Sequence, residues 1–258
     1  MSGIPLTSNA PRPWLVRFKP TQTARLRLVC FPYAGGGAAS YRPWVSHFPS
    51  SVEVCAIKLP GREDRIRETP CTHLSELLPL LASVIASHAD IPFAFFGHSM
   101  GALMCFELAR ELRRQHLPEP AHLFVSAFRA PQRPASLSET HRLPEAEFIK
   151  EVGQRWGGIP DVVRNEPGLL ELLLPTLRAD MAIVETYTYV PEAPLTCPIS
   201  CFGGMEDHIV EQSVLSAWQQ QTTAAFSLTM FPGGHFFVQS AREVLLQTMM
   251  QELSRFVV

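Results

Sequence analysis

The sequence predicts an α/β fold with a mostly parallel central sheet and helices on both faces. Short runs rich in aliphatic, β-branched and aromatic residues alternate with longer segments of helical periodicity. This alternation is typical of parallel strands joined by helical crossovers. The strand-like runs are "RLRLVCF", "VEVCAI", "FAFFG", "HLFVS", "PISCF" and "FSLTMF". The clearest helical segment between them is "HLSELLPLLASVIASH".

The length and composition indicate one globular domain over residues 1–258. The 258 residues are 46% hydrophobic and 18% charged, with a net charge of −2, which is typical of a folded chain with a sizeable core. The low net charge argues against binding to nucleic acid or to a membrane surface. The start, "MSGIPLTSNAPRPW", lacks the pattern of a signal peptide, and we expect roughly the first 20 residues to be loop or extended tail.

The six cysteines are interpreted as reduced thiols of a cytoplasmic protein. Cys30, Cys55 and Cys105 lie within apolar runs, where cysteine behaves as a small core residue. Cys197 and Cys201 are four apart, but Pro198 and the strand-like "PISCF" make them poor metal ligands. We therefore expect no metal site.

Residues 129–190 interrupt the alternation, because they contain helix-like runs and no convincing strand. An insertion of this size before the last strands predicts a helical lid over the site. The alternative is that these helices only pack the domain. A last helix should follow "GGHF", with one apolar face made of Val238, Ala241, Leu245, Met249, Leu253 and Phe256.

Ser99 is the candidate nucleophile. In "FFGHSMGALMCFELAR" it follows a predicted strand and precedes a predicted helix, with Gly97 and Gly101 on either side. A strand-turn-helix elbow projects the serine hydroxyl from the backbone, and small neighbours leave room for the tight turn. The following helix directs its N-terminal N–H groups towards the same point. The alternative is a chance match, with serine simply a small residue in a turn.

A serine nucleophile needs a base and an orienting carboxylate, which follow it in the chain order acid, then histidine. His235, in "FPGGHFF" directly after a predicted strand, is the candidate base. Asp207, in "CFGGMEDHIV" at another strand end, is the candidate acid. Glu206 is its nearest rival and Asp180, in the predicted lid, a more distant one. Asp207 would fix the imidazole tautomer and stabilise the imidazolium.

Two backbone amides are the candidate oxyanion donors. Met100 follows the nucleophile at the start of a helix, where N–H groups are free to donate. The second donor should come from the loop after an early strand, here "FPYAGGGAASY", and Ala34 is chosen over Tyr33. Its three glycines could also cradle a phosphate, but the spacing and the lysine of a phosphate-binding loop are absent.

Several segments together resemble the free-standing type II thioesterases, which are α/β-hydrolases that accompany non-ribosomal peptide and polyketide synthases. The medium-chain thioesterase of fatty-acid synthesis is similar too. The segments are "FPYAGGGAASYRPW", "LPGREDR", "FFGHSMGALMCFELAR", "LRADMAIVETYTY", "CPISCFGGMEDHIV" and "PGGHFF". One departure is His208, which stands where the family often has proline after the aspartate.

The resemblance implies that the protein hydrolyses acyl or aminoacyl thioesters on the phosphopantetheine arm of a carrier protein, as an editing enzyme. It implies Ser99 as nucleophile, Asp207 as acid, His235 as base, and Met100 and Ala34 as oxyanion donors. Carrier domains are the expected partners, no metal or cofactor is required, and we expect a monomer. The lid would bound an apolar acyl pocket, with "GLLELLLPTL" and Trp156 as lining candidates besides their role in helix packing.

Two questions stay open at this stage. The charged residues of "LPGREDR" either form an ion-pair network on their loop or contact the pantetheine arm or carrier. The same triad would also serve a small-molecule carboxylesterase or an acyltransferase, and a non-catalytic carrier-binding protein is a further alternative.

Overall fold

In a computed structural model that describes residues 13–134, 139–156 and 166–257, the centre of the molecule is a sheet of seven strands. The strands are β1 Leu15–Arg17, β2 Leu26–Phe31, β3 Val52–Ile57, β4 Phe93–His98, β5 His122–Ser126, β6 Ile199–Gly204 and β7 Phe226–Phe231. Their order across the sheet is β1-β3-β2-β4-β5-β6-β7. β1 is antiparallel to β3, and all other neighbours are parallel. The loops that follow the parallel strands therefore meet at one edge.

Helices cover both faces of the sheet, as the α/β prediction requires. The α-helices of the described residues are α1 Leu74–Ala86, α2 Met100–Arg114, α3 Glu145–Trp156, α4 Pro167–Thr186, α5 Gln212–Ser216, α6 Phe237–Ser240 and α7 Arg242–Val257. Short 3-10 helices span Ala38–His47, Glu63–Arg65, Thr140–Arg142 and Ala217–Gln221. Throughout the described ranges, no helix is both long and apolar enough to cross a lipid bilayer.

The strands are apolar on both sides because each side of the sheet is covered. In β2, Val29 and Phe31 face the core formed with α1 and α2, whereas Leu28 and Cys30 face the core formed with Ala38–His47 and α7. Residues of both sets are almost fully buried. Burial on both faces is typical of parallel sheets, and it explains the continuous apolar runs "LVCF" in β2 and "FAFF" in β4. The edge strand β7, "FSLTMF", alternates polar and apolar residues and is mostly half-buried.

Two details differ from the sequence-based expectation. The expected N-terminal loop contains strand β1 at Leu15–Arg17, which is too short to show a period, while residues 1–12 lie outside the described part. The last helix is broken into α6 and α7 at Ala241, whose φ of −105° departs from helical geometry. The predicted apolar face is nevertheless the buried one, since Leu245, Met249 and Leu253 have no exposed surface.

The segment predicted as an insertion, 129–190, contains α3 and α4, and its described residues form no strand. Residues 135–138 and 157–165 of this segment lie outside the described part. Phe148 and Val152 of α3 pack against Leu174 and Met181 of α4 in a small apolar cluster of their own. Ala34 of the loop after β2 packs against the same cluster, which places both helices next to that loop.

Helix α2 crosses very close to the ends of β2 and β4. A Cβ added to Gly97 would lie 2.1 Å from the carbonyl carbon and oxygen of Gly101. A Cβ added to Gly101 would lie 2.5 Å from the carbonyl oxygen of Phe31. Only glycine fits at either position, because the obstructing atoms belong to the backbone and cannot turn aside.

We expect Gly97→Ala to lower the free energy of unfolding by about 3 kcal/mol, because the new methyl group must push helix α2 away from the sheet. Urea denaturation followed by circular dichroism would measure this change. Gly153→Ala is the matched control, since a Cβ there has no atom within 4 Å and the residue lies inside helix α3. The control should be neutral or stabilising by up to ~1 kcal/mol. Equal stability of both variants would contradict the close crossing.

Candidate active site

Ser99 occupies the sharp turn between β4 and α2. Its φ of 53° and ψ of −118° are unusual for a residue with a side chain. Its N–H donates to the carbonyl oxygen of Ser126 at 2.8 Å, which ties the turn to the end of the neighbouring strand β5. The side chain is half-buried, so the hydroxyl lies at the edge of the protein interior.

Asp207 and His235 are joined by a buried hydrogen bond. Nδ1 of His235 lies 2.9 Å from Oδ2 of Asp207, and each residue is 8% exposed. The other carboxylate oxygen, Oδ1, accepts the N–H groups of Ile209 at 2.8 Å and Val210 at 3.1 Å. The carboxylate is thus held by its own loop and directed at the imidazole.

The loops that carry these two residues are bound to each other by backbone hydrogen bonds. The N–H of Met205 donates to Phe231 at 2.8 Å, and the N–H of Glu206 donates to Gly233 at 3.0 Å. These bonds extend the pairing of β6 and β7 beyond the strands, so that the two loops leave the sheet together. The contact between Asp207 and His235 therefore follows from the order of the strands.

The pKa of the Asp207 carboxyl group is lowered from its ordinary value. Burial alone would raise this pKa, because it removes water from the carboxylate. The hydrogen bond and positive charge of His235, together with the N–H groups of Ile209 and Val210, outweigh burial. The side chain is consequently ionised at neutral pH, as an orienting carboxylate must be.

Ser99 and His235 open into one cleft, which contains about 470 Å³ of space between its atoms, its open mouth included. The other lining residues are mostly apolar and come from the loop after β2, from helices α3 and α4, and from the residue after the histidine. They are Tyr33, Ala34, Val152, Leu177, Met181, Val184 and Phe236.

Of the two backbone donors predicted for an oxyanion, Ala34 lines this cleft and Met100 directly follows Ser99 in the chain. Met100 is the first residue of α2, and the first N–H groups of a helix have no partner within the helix. The positive end of the helix dipole adds to their attraction for an anion. Ala34 lines the cleft from the loop after β2, whose strand is the neighbour of β4 in the sheet. Their roles as donors stay predictions.

A second histidine, His98, is completely buried beside the candidate base. The centroids of the His98 and His235 rings are 5.2 Å apart, and Nδ1 of His98 lies 2.9 Å from Oγ of Ser126. Burial, followed by the proximity of His235, lowers the pKa of His98 well below its ordinary value. His98 is therefore neutral at pH 7, and it adds no positive charge next to His235.

The rival acids lie elsewhere. Glu206 is exposed, and Asp180 is buried in a bidentate ion pair with Arg62. Three charged residues of "LPGREDR" form ion pairs, as one interpretation of the motif expected, but each partner lies outside the motif. The pairs are Arg62 with Asp180, Asp64 with Lys58 and Arg65 with Glu68.

Most residues of the cleft wall were not predicted from the sequence. Of the run "GLLELLLPTL", Leu177 lines the cleft, Leu174 packs in the core, and Leu172 is 53% exposed. The other proposed lining residue, Trp156, has a side chain outside the described residues. The helical spacing of Leu177, Met181 and Val184 is the signal that points to one shared face.

The described residues contain no group of three or more histidine, cysteine, aspartate or glutamate side chains arranged to hold a metal ion.

Comparison with known proteins yields consistent matches over most of the chain. A family model described as a thioesterase domain matches residues 26–253. The gramicidin S biosynthesis protein GrsT of Aneurinibacillus migulanus is 43% identical over 240 residues, which are 93% of either chain. The type II thioesterase BorB from the borrelidin biosynthetic cluster has a similar structure, with a TM-score of 0.85 at 34% identity, covering 93% of this chain and 97% of BorB. For the thioesterase RedJ from the prodiginine pathway of Streptomyces coelicolor, the TM-score is 0.84 at 36% identity, covering 96% of both chains.

We expect Asp207→Asn to lower the free energy of unfolding at pH 5 by about 2 kcal/mol, because a charge-assisted buried hydrogen bond is lost. The folded-state pKa of Asp207 is depressed, so its stabilisation is complete above the unfolded-state pKa of about 4 and is lost as the pH falls through the folded-state pKa. The difference between variant and wild type should therefore narrow below pH ~4. Urea unfolding between pH 5 and pH 3 would measure it.

Glu206→Gln is the control for this titration, because Glu206 is the exposed neighbour in the same loop. It should change the free energy of unfolding by less than about 0.5 kcal/mol at any of these pH values. If the difference in free energy of unfolding between Asp207→Asn and wild type is the same from pH 5 to pH 3, the assigned hydrogen bond is contradicted.

Proposed function

Because the chain belongs to the thioesterase family, we propose that it removes acyl or aminoacyl groups from the phosphopantetheine arm of carrier proteins in an editing role. The chain is an enzyme that hydrolyses thioesters, and proteins of similar structure come from NRPS/PKS pathways. The triad, the carrier-bound substrate and the editing role are the parts that we add.

One observation supports the proposed chemistry most directly. Ser99 and His235 line the same cleft, and His235 is hydrogen-bonded through Nδ1 to the buried carboxylate of Asp207. Because Nδ1 is bonded to the carboxylate, we assign proton exchange with the serine to Nε2. This is the division of roles between acid, base and nucleophile in serine hydrolases.

In the first half of the proposed reaction, His235 takes the proton of Ser99 as the hydroxyl oxygen attacks the thioester carbonyl carbon. The negative oxygen that develops is stabilised by the N–H groups of Met100 and Ala34. The carbon–sulfur bond then breaks, and the pantetheine sulfur leaves as a thiol with the proton held by His235. The acyl group remains as an ester of Ser99.

In the second half, His235 takes a proton from a water molecule, which attacks the acyl-serine carbonyl. The same two N–H groups stabilise the second oxyanion. Collapse of this intermediate returns the proton to Ser99 and releases a carboxylic acid. Asp207 stays ionised throughout and stabilises the imidazolium form of His235.

The lining of the cleft favours apolar acyl groups. Val152, Leu177, Met181 and Val184 contribute aliphatic surface, and Phe236 adds an aromatic ring. Burial of a methylene group in such a wall stabilises binding by about 0.8 kcal/mol. Because α3 and α4 supply the four aliphatic residues, we propose that 129–190 acts as a lid that bounds the acyl pocket.

The substrate acyl group would arrive on a carrier domain rather than as a free metabolite. We further propose that the protein acts as a cytoplasmic monomer without nucleic acid or membrane partners. The proposed steps use only side chains and amides of the chain, so they call for no metal or organic cofactor.

We expect Ser99→Ala to reduce kcat for hydrolysis of an acyl-carrier thioester by about 10⁴-fold or more, because no acyl-enzyme can form. Mass spectrometry of the carrier would follow loss of the acyl group, and the wild-type enzyme should show an acyl adduct on the Ser99 peptide. Wild-type kcat/KM should be higher for the carrier thioester than for a p-nitrophenyl ester of the same acid.

Three outcomes would contradict this proposal. Hydrolysis by Ser99→Ala at the wild-type rate would show that Ser99 is not the nucleophile. A preference for the p-nitrophenyl ester would favour a small-molecule carboxylesterase. Transfer of the acyl group to an added alcohol or amine, in place of release of the free acid, would favour an acyltransferase.

We expect Val184→Phe to narrow the cleft and to lower kcat/KM for an octanoyl thioester about 10-fold more than for an acetyl thioester. Competition between the two acyl carriers in one reaction would measure the ratio. Val190→Phe is the control, because Val190 is 62% exposed and lies outside the cleft wall. If Val184→Phe lowers kcat/KM equally for both acyl groups, this wall of the cleft does not select acyl-chain length.

A further inference from the structure

An ion pair lies beside the glycine-containing loop that follows β2. Arg62, in the loop after β3, donates from Nη2 to Oδ1 of Asp180 at 2.7 Å and from Nη1 to Oδ2 at 3.1 Å. Asp180 is in the middle of helix α4. The two residues are 5% and 1% exposed, respectively, so that almost no water reaches the pair.

Both members of this pair are also bonded to the backbone of the loop. The N–H of Gly35 donates to Oδ2 of Asp180 at 2.8 Å. The carbonyl oxygen of Gly36 accepts from Nη1 of Arg62 at 2.7 Å. The carboxylate thus binds the N–H of Gly35, and the guanidinium binds the carbonyl of the next residue, Gly36. A buried ion pair needs such additional hydrogen bonds, and here they join the pair to a single loop.

These bonds act on the peptide unit next to the proposed oxyanion donor. The peptide group between Ala34 and Gly35 is planar, so the direction of the Gly35 N–H fixes that of the Ala34 carbonyl. Gly35 has a φ of +74°, a conformation that the loop adopts with Asp180 as acceptor. Ala34 is therefore joined to a peptide unit that Asp180 holds, and its own N–H belongs to the preceding peptide unit, one residue away.

Two further hydrogen bonds join the loop after β3 to the loop after β2 and to helix α4. Glu63, next to Arg62, accepts the N–H of Ala39 at 2.7 Å and so holds the far end of the loop. Thr176, one helical turn before Asp180, donates its hydroxyl to the carbonyl of Gly61. Helix α4, the loop after β3 and the loop after β2 are therefore connected through buried polar contacts.

We propose that Arg62 and Asp180 are positioning residues that hold the loop after β2 so that the Ala34 N–H points at the oxyanion. This proposal rests on the proposed function, since it assigns a role within that reaction. Neither residue touches the substrate. Their effect is on the transition state, in which the negative oxygen develops, more than on the bound thioester.

The test compares two substitutions that keep side-chain size. Asp180→Asn removes the carboxylate charge, and Arg62→Lys keeps the positive charge but loses the planar fork that reaches both partners. Loss of one oxyanion donor lowers kcat by roughly 10²- to 10³-fold. For a misdirected donor we expect a fall in kcat of about 10- to 100-fold with KM within about 2-fold of wild type.

Glu53→Gln is the matched control. Glu53 is also a fully buried carboxylate held by arginines, with Arg17 at 2.7 Å and Arg27 at 2.8 Å. It lies near the start of β3, at the edge of the sheet opposite the cleft. We expect this substitution to lower the midpoint of urea unfolding while kcat stays within about 2-fold of wild type.

A pair of inhibitors separates positioning from a general loss of structure. A trifluoromethyl ketone analogue of the thioester forms an oxyanion when Ser99 adds to it, whereas a thioether analogue forms none. In both site variants the ketone should bind more weakly by the same factor as the fall in kcat/KM. The thioether analogue should bind as it does to wild type.

Wild-type kcat in both variants, or equal weakening of ketone and thioether, would overturn the assigned role. If Asp180→Asn does not fold, Arg62→Lys alone decides the question. If the proposed function itself is wrong, the wild-type enzyme will leave the carrier thioester intact, which distinguishes this case from failure of the positioning role. The same comparison would then be made on a simple thioester that the wild-type enzyme does hydrolyse.

Discussion

The site depends on how closely helix α2 crosses the ends of strands β2 and β4. With backbone atoms in contact at Gly97 and Gly101, the turn between them has almost no freedom, and Ser99 is held in a strained conformation at the edge of the sheet. Ala34, Asp207 and His235 reach this point from loops that follow parallel strands ending at the same edge, and α3 and α4 add the apolar wall. The strand order, rather than any single contact, thus brings residues more than 130 positions apart into one cleft.

Much of this arrangement could be predicted from the sequence because it is local. Each parallel strand is a short apolar run, and the turns that carry Ser99, Asp207 and His235 lie directly after such runs. The rule that parallel strands end at a common edge then brings the three together without any knowledge of distances. The predicted strands "VEVCAI", "HLFVS" and "FSLTMF" match β3, β5 and β7 residue for residue.

The remainder depends on contacts between distant segments that leave no local pattern. Arg62 and Asp180 are 118 residues apart, and either one alone looks like an ordinary charged residue of a loop or a helix. Strand β1 is formed by pairing with β3, since three residues are too few to show a period. The spacing of Leu177, Met181 and Val184 places them on one face of α4, but the helix carries further leucines, so the sequence alone does not show which face turns towards the cleft.

Helix α4 is attached to the body of the protein along its second half. Besides the contacts of Thr176 and Asp180, Tyr187 just beyond its end donates to the buried Glu107 of α2 at 2.7 Å. Leu177, Met181 and Val184 project from this attached half. This wall of the cleft is therefore held to the body of the protein by polar contacts as well as by apolar packing.

Leu177, Asp180, Met181 and Val184 lie within two turns of one helix. A substitution that tilts or shifts this helix to admit a bulkier acyl group also displaces the carboxylate that binds Gly35. Under the proposed role of Asp180, divergence towards new acyl groups is constrained. Exchanges of side-chain volume that leave the helix axis in place should preserve kcat, whereas changes that move the axis should lower it. Relatives with different substrates should then differ at the three apolar positions and agree in the path of the helix.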